Sequence, residues 1–138
     1  MEKSFLSYLQ GLFESDFFYN KYLQEAFSQN ENKNLAEIGD SVLNLVIRMN
    51  EYSKHYATPD SIDEARQIYA SKKALQRVLN QDVEFTEFLI HNYKCTSPPG
   101  KIGLERSDDF MEAIIGAIYL SKDMKAVSKF IITFLDIQ

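Results

Sequence analysis

The chain has no tryptophan, one cysteine, two histidines, three prolines and five glycines in 138 residues. Each scarcity excludes something. A single cysteine, Cys95, leaves no partner for an internal disulfide, and that economy fits a reducing compartment. Two histidines, His55 and His91, with no HExxH or His-Asp pair, disfavour the histidine-rich metallohydrolases; both read as surface or packing residues. Few prolines and glycines, with 45% hydrophobic residues, argue for an ordered core rather than a disordered chain. No apolar run reaches membrane-spanning length, and the opening MEKSFLSYLQGLFESD carries acids where a secretory signal would be apolar. A cytoplasmic protein that avoids membranes is expected. Basic residues are also in deficit. Fifteen Lys and Arg against twenty Asp and Glu give a net charge of −5, which argues against tight nonspecific binding of nucleic acid by the isolated chain.

What is present is helical periodicity. Phe5, Leu6, Leu9 and Phe13 recur at helical spacing, and so do Phe17, Tyr22, Leu23 and Phe27 within residues 16 to 29. The polar stretch 28 to 34 reads as a loop. A long helix is predicted from about 35 to 53. A second follows from Ser61, with Glu64 as its capping-box partner, to about Leu79. A short helix over 83 to 93 precedes the Pro/Gly-rich loop 95 to 103. Two more helices, about 107 to 121 and 123 to 136, complete one all-α domain spanning 1 to 138.

Two of these helices carry acid in apolar surroundings. In LAEIGDSVLNLVI, 35 to 47, Asp40 lies among Leu35, Ile38, Val42, Leu43 and Leu45. In DDFMEAIIGAIYL, 108 to 120, Asp109 and Glu112 precede a run of isoleucines. Both segments read as apolar nearly all round, as core helices do. A carboxylate beside such a helix loses hydration and must shift its pKa, pair with a cation or bind a metal. Asp109 and Glu112, three apart, point to one side of their helix. Small residues, Ala36 and Gly39 on one helix and Ala113, Gly116 and Ala117 on the other, favour close approach. The three carboxylates can then converge. Oxygen donors without a matching set of His or Cys suit Mg²⁺ or Mn²⁺ rather than zinc, and such sites serve phosphoryl chemistry. The plainer readings are a helix start, with Asp109 as cap and Glu112 as its capping-box partner, and a core acid, Asp40, paired with Arg66 or Arg106. Lys72, Lys73 and Arg77 read as a solvated helix face or as a phosphate track.

Taken in order, the two segments resemble the catalytic domain of ribonuclease III. The family's signature helix reads like LEFLGDSVLNL, against LAEIGDSVLNL here. Its second motif reads like ADTFEALIGAIYLD, against SDDFMEAIIGAIYLSKD. The resemblance covers roughly residues 5 to 135. It implies a ribonuclease III-type helical bundle that hydrolyses double-stranded RNA with Mg²⁺ (or Mn²⁺). It makes Asp40 and Glu112 catalytic and Asp40, Asp109 and Glu112 metal ligands. It also implies a homodimer in which the signature helices pair across a two-fold axis.

Two departures qualify it. The family's glutamate four residues before the signature aspartate is Ala36 here, and Glu37 next to it, the candidate substitute metal ligand, points about 100° away. The chain ends at Gln138, short of the usual double-stranded-RNA-binding domain. Both features look like Mini-ribonuclease III, and that likeness implies a structured substrate such as precursor ribosomal RNA, held by a ribosomal protein. In that branch the loop before the second motif touches RNA, which selects Lys94 and Lys101, beside Lys72 and Lys73, as candidate phosphate contacts. Two alternatives stand next to the nuclease. One is a non-catalytic RNA-binding or ribosome-assembly module that kept the fold, motivated by Ala36 and Glu37. The other is an all-helical nucleoside triphosphate pyrophosphohydrolase, loosely matched by Glu84, Glu87, Glu105 and Asp108.

Overall fold

The computed structural model describes residues 4–100 and 103–138. These form eight α-helices, with one 3-10 turn at Glu14–Asp16 and no strand among the described residues. In chain order the helices are α1 (Phe5–Phe13), α2 (Lys21–Phe27), α3 (Lys33–Tyr52), α4 (Pro59–Ala70), α5 (Lys72–Asn80), α6 (Val83–Tyr93), α7 (Ser107–Ser121) and α8 (Met124–Phe134).

Polar side chains set most of the helix starts. Ser4, Asn20, Thr58, Ser71, Asp82 and Asp123 each accept a hydrogen bond from the backbone N–H three residues on. Asp82 does this twice over. One carboxylate oxygen accepts from Phe85 N at 3.0 Å and starts α6, while the other accepts from Phe5 N at 2.9 Å and ties down the start of α1.

Helix α7 is the centre of the bundle. Phe110, Met111, Ala113, Ile114, Ile115, Ala117 and Ile118 are fully buried, and α2, α3, α5 and α8 pack around them. A second layer of aromatic rings joins α1, α6 and α8. Phe5 stacks on Phe134 at 4.4 Å between centroids and lies 5.4 Å from Phe85.

The structure alters several expectations. Helix α3 is not apolar all round. Its buried face is Leu35, Ala36, Gly39, Val42, Leu43, Val46 and Ile47, whereas Glu37, Ile38, Asp40, Leu45 and Met49 are exposed. The reason is position: α7 and α4 cover part of its circumference, and the rest faces outward. The helix expected from 61 to 79 is two helices. Ser71 takes an extended backbone (ψ 154°) and turns its hydroxyl to accept Ala74 N at 3.2 Å, so a cap interrupts an otherwise continuous apolar period. The capping box also starts earlier than expected, between Thr58 and Ser61 rather than Ser61 and Glu64. Residues 16 to 20 are not part of α2, which begins only after the Asn20 cap.

Candidate active site: carboxylates gathered between two helices

Helices α3 and α7 touch backbone to backbone. A Cβ on Gly39 would lie 1.6 Å from the carbonyl oxygen of Glu112, and one on Gly116 would lie 2.5 Å from the carbonyl oxygen of Leu35. No side chain fits at either crossing point. This approach brings Asp40, on the rim of α3, to the first turns of α7.

Asp108, Asp109 and Glu112 each offer a carboxylate oxygen within 4.8 Å of the others, and Asp40 reaches Glu112 through a side-chain hydrogen bond. All three grouped acids are half-buried. Burial, reinforced by the hydrogen bond with Asp40 and by the negative charges of Asp40, Asp108 and Asp109, pushes the pKa of Glu112 up to about 9. At neutral pH one carboxyl of the cluster is therefore kept protonated unless a cation joins it.

The surrounding contacts hold the other acids in place. Asn44, one turn beyond Asp40, donates from Nδ2 to the Asp40 carboxylate at 3.1 Å and to the Asp40 carbonyl at 2.8 Å. Gln76 on α5 donates to Asp108 at 3.2 Å. Arg106 forms an ion pair with Asp109 at 3.6 Å and donates a hydrogen bond to the carbonyl of Gln29. Arg106 also precedes the first residue of α7 in the left-handed region (φ 54°), so Asp109 sits inside the first turn and is not the cap. The reading of Asp109 as cap, with Glu112 as its capping-box partner, is thereby corrected. So is the pairing of Asp40 with Arg66 or Arg106: Arg106 takes Asp109, and among the described residues Asp40 has the Asn44 amide instead.

A cleft of about 690 Å³ opens on the cluster, lined by Lys33, Ala36, Glu37, Asp40, Ser41, Asp109 and Glu112. Its donor set is carboxylate oxygen, without His or Cys, and one half-buried carboxyl lacks the positive charge that would let it ionise. Both features fit a hard divalent cation. Asp109 and Glu112 group with Asp108, and Asp40, outside that group, reaches Glu112 across the helix crossing. Asp108 was missed as a ligand; the only signal was its place directly before Asp109. Glu37 lines the cleft but is exposed and lies outside the group formed by Asp108, Asp109 and Glu112.

The candidate RNA contacts separate. Lys94 is the left-handed C-cap of α6 and lines a neighbouring cleft of about 490 Å³ with Lys33 and Arg106. Lys33 borders both clefts, so Lys94 stands beside the acidic site. Lys72 and Lys73 are exposed on the first turn of α5 and line neither cleft, though Lys72 is one turn from Gln76 on the same helix face. Lys101 lies outside the described residues. His55 and His91 are exposed. The Cys95 thiol is buried against the carbonyl of Phe27, and burial pushes its pKa up to about 11, which removes it as a nucleophile at neutral pH. Of the acids in the pyrophosphohydrolase pattern, Asp108 alone belongs to the carboxylate group; Glu84 and Glu87 lie exposed on α6.

Comparison with known proteins agrees with this architecture. A ribonuclease-III-like family model matches residues 16–136. Ribonuclease 3 of Wolbachia pipientis subsp. Culex pipiens (strain wPip) is 29% identical over 98 residues, which are 71% of this chain and 43% of that protein. The chain thus spans under half the length of this relative. No solved structure gives a significant match. With the family pattern covering nearly all of α2 to α8 and the carboxylates gathered where α3 crosses α7, this chain belongs to the ribonuclease-III-like family.

Proposed function

We propose that the chain is a metal-dependent endoribonuclease that hydrolyses phosphodiester bonds in double-stranded or structured RNA, with precursor ribosomal RNA as the natural substrate class. The observation that carries this reading is the carboxylate cluster itself, in which Glu112 is held near a pKa of 9 by burial and three acidic neighbours. A protein gains nothing in stability from such crowding; it is the cost of a cation site.

Asp40, Asp108, Asp109 and Glu112 would hold a divalent cation, Mg²⁺ or Mn²⁺. When bound, such an ion acidifies a water and neutralises charge developing on the phosphate. The chain's own residues supply position. Asn44 fixes the Asp40 carboxylate, Gln76 that of Asp108, and Arg106 keeps a positive charge beside Asp109. The glycine crossing keeps the two helices from separating, so the carboxylates hold their geometry as charge changes. Lys33 and Lys94, at the edge of the acidic cleft, offer contacts to backbone phosphates on one side of the cut.

A homodimer belongs to the same reading. Ile38, Leu45, Met49 and Tyr52 recur along one stripe of α3 and are 39%, 46%, 46% and 77% exposed. An apolar stripe left open on the signature helix suits pairing with its copy. Two sites along one duplex would then share an acidic chain's modest phosphate contacts. The remaining parts of the reading are a single catalytic domain, a cytoplasmic location and a ribosomal protein presenting the substrate. Among the described residues no helix is long and apolar enough to cross a membrane.

The test is cleavage of a labelled RNA duplex with Mg²⁺ by the wild type and by Glu112→Gln. The reading requires cleavage by the first and a loss of at least about 10³-fold in the second. Ala36, and a Glu37 that stands outside the acidic group, favour a second reading, a non-catalytic RNA-binding or ribosome-assembly module. Absence of cleavage from a folded, dimeric wild type would select it.

A further inference from the structure

Helix α3 carries a polar stripe that runs past Asp40 in both directions. At 100° per residue, Lys33, Glu37, Asp40, Asn44 and Arg48 fall within about 80° of one another around the helix. Lys33 and Arg48 lie roughly 10 and 12 Å from Asp40 along the axis, on opposite sides. The Lys33 side opens on the acidic cleft and on the Lys94 cleft beyond it. The Arg48 side opens on a different cleft of about 500 Å³, between α3 and α4, whose lining includes Asp40, Asn44, Arg48, Asp63, Arg66 and Gln67. Asp40 and Ser41 form the border it shares with the carboxylate cleft.

The two arginines stand out chemically. Asp63 lines the same cleft and sits three residues before Arg66, yet neither arginine forms an ion pair or a side-chain hydrogen bond among the described residues. Arg106, by contrast, is committed to Asp109 and to Gln29. Two uncommitted guanidinium forks, with the Gln67 amide beside them, form a donor set for phosphate oxygens. Their sign is wrong for the cation that the neighbouring acids suit. Along α3 the order is cation, carboxylates, cation, and a nucleic-acid strand meets that order when a phosphate in the middle reacts while its neighbours are held.

We infer that the Arg48–Arg66 cleft binds a backbone phosphate of the RNA strand, on the side of the reacting phosphate opposite Lys33 and Lys94. The inference rests on the endoribonuclease reading and adds to it a subsite that the signature motifs do not contain. Arg48 and Arg66 act here as positioning residues, holding the strand in register over Asp40.

The experiment measures binding of a labelled 30-base-pair RNA duplex in Ca²⁺ buffer over a range of KCl, for the wild type, Arg48→Gln, Arg66→Gln and the corresponding lysine variants. Each glutamine variant should weaken binding about 5- to 10-fold near 0.1 M salt and lower the slope of log K against log salt by about one unit. The lysine variants should keep the slope. Thermal melts and sedimentation of every variant separate a binding defect from lost fold or lost assembly. Equal affinities and slopes for wild type and glutamine variants would overturn the inference, as would a change in assembly with no change in slope. Cleavage of the same duplex by the wild type in Mg²⁺ is scored separately. A wild type that binds with the expected slopes but never cleaves sinks the nuclease reading and leaves the phosphate subsite standing.

Discussion

Gly39 on α3 lies directly against the carbonyl oxygen of Glu112 on α7, with no room for even one carbon between them. The residue at that crossing, Glu112, also belongs to the carboxylate cluster. Packing and chemistry are therefore set by the same contact.

A Gly39→Ala change should destabilise the protein and disable the site together. In an exposed helix the same substitution would stabilise by about 1 kcal/mol, because alanine is the better helix former. Here the added carbon meets backbone that cannot rotate away, and prising two packed helices apart costs roughly 1–3 kcal/mol or more. The net change should be a loss in urea denaturation, with catalysis falling further than stability. A gain in stability would show that the helices are not in backbone contact.

Glu112 should make the metal-free protein sensitive to pH. Its carboxyl titrates near 4.5 when unperturbed and near 9 in the folded chain, so the folded state binds more protons between those values. Stability from this group is complete below the lower value and declines as pH rises through the upper one. Glu112→Gln removes the decline. The variant's melting temperature should exceed that of the wild type by more at pH 8.5 than at pH 5.5, measured in EDTA. Mg²⁺ should raise the wild-type melting temperature more at pH 8.5 than at 5.5, and barely move the variant. A variant-to-wild-type difference that is flat across this range would contradict the burial of Glu112.

The open stripe on α3 should govern assembly. Leu45→Lys and Met49→Lys put charge on exposed positions, where a monomer loses little, typically within 0.5 kcal/mol. In a dimer that buries the stripe, each desolvates an ammonium. Sedimentation of the double variant should shift to the monomer while helicity by circular dichroism is kept. A wild type that is monomeric at tens of micromolar, or a double variant that still pairs, would remove this stripe as the interface.

Asp82 should be worth more than an ordinary cap. Its two oxygens serve the backbone N–H groups of both Phe5 and Phe85, and a single cap typically contributes about 1 kcal/mol. Asp82→Ala should cost about 2 kcal/mol in denaturant unfolding. Hydrogen exchange at the start of α1 should quicken along with that at the start of α6. Loss confined to α6 would show the link to α1 to be incidental.

Much of this molecule is legible along the chain. The apolar run of α7 and the three-residue spacing of Asp109 and Glu112 are local patterns, and local patterns survive folding. Helix α3 misled because hydrophobic content does not say what covers it. Ile38 and Leu45 look like core in sequence and stand open in the folded chain. Ser71 misled because a hydroxyl can either ride within a helix or end it, and its capping bond to Ala74 decides which.

The amino-acid order by itself determined the helical class, the positions of most helices, the family and the spacing that sets Asp109 and Glu112 on one side of a helix. All of these depend on contacts between residues a few positions apart, or on motifs whose spacing is carried by the chain. Only the tertiary structure decided that Asp40 meets Glu112, that Asp108 groups with Asp109 and Glu112, that Glu37 stays at the exposed edge of their cleft, and that Arg48 and Arg66 share a cleft beside the acids. Those relations join residues up to 72 positions apart, from Asp40 to Glu112. They follow from how closely two helices can approach, and that closeness strips water from Glu112 and raises its pKa.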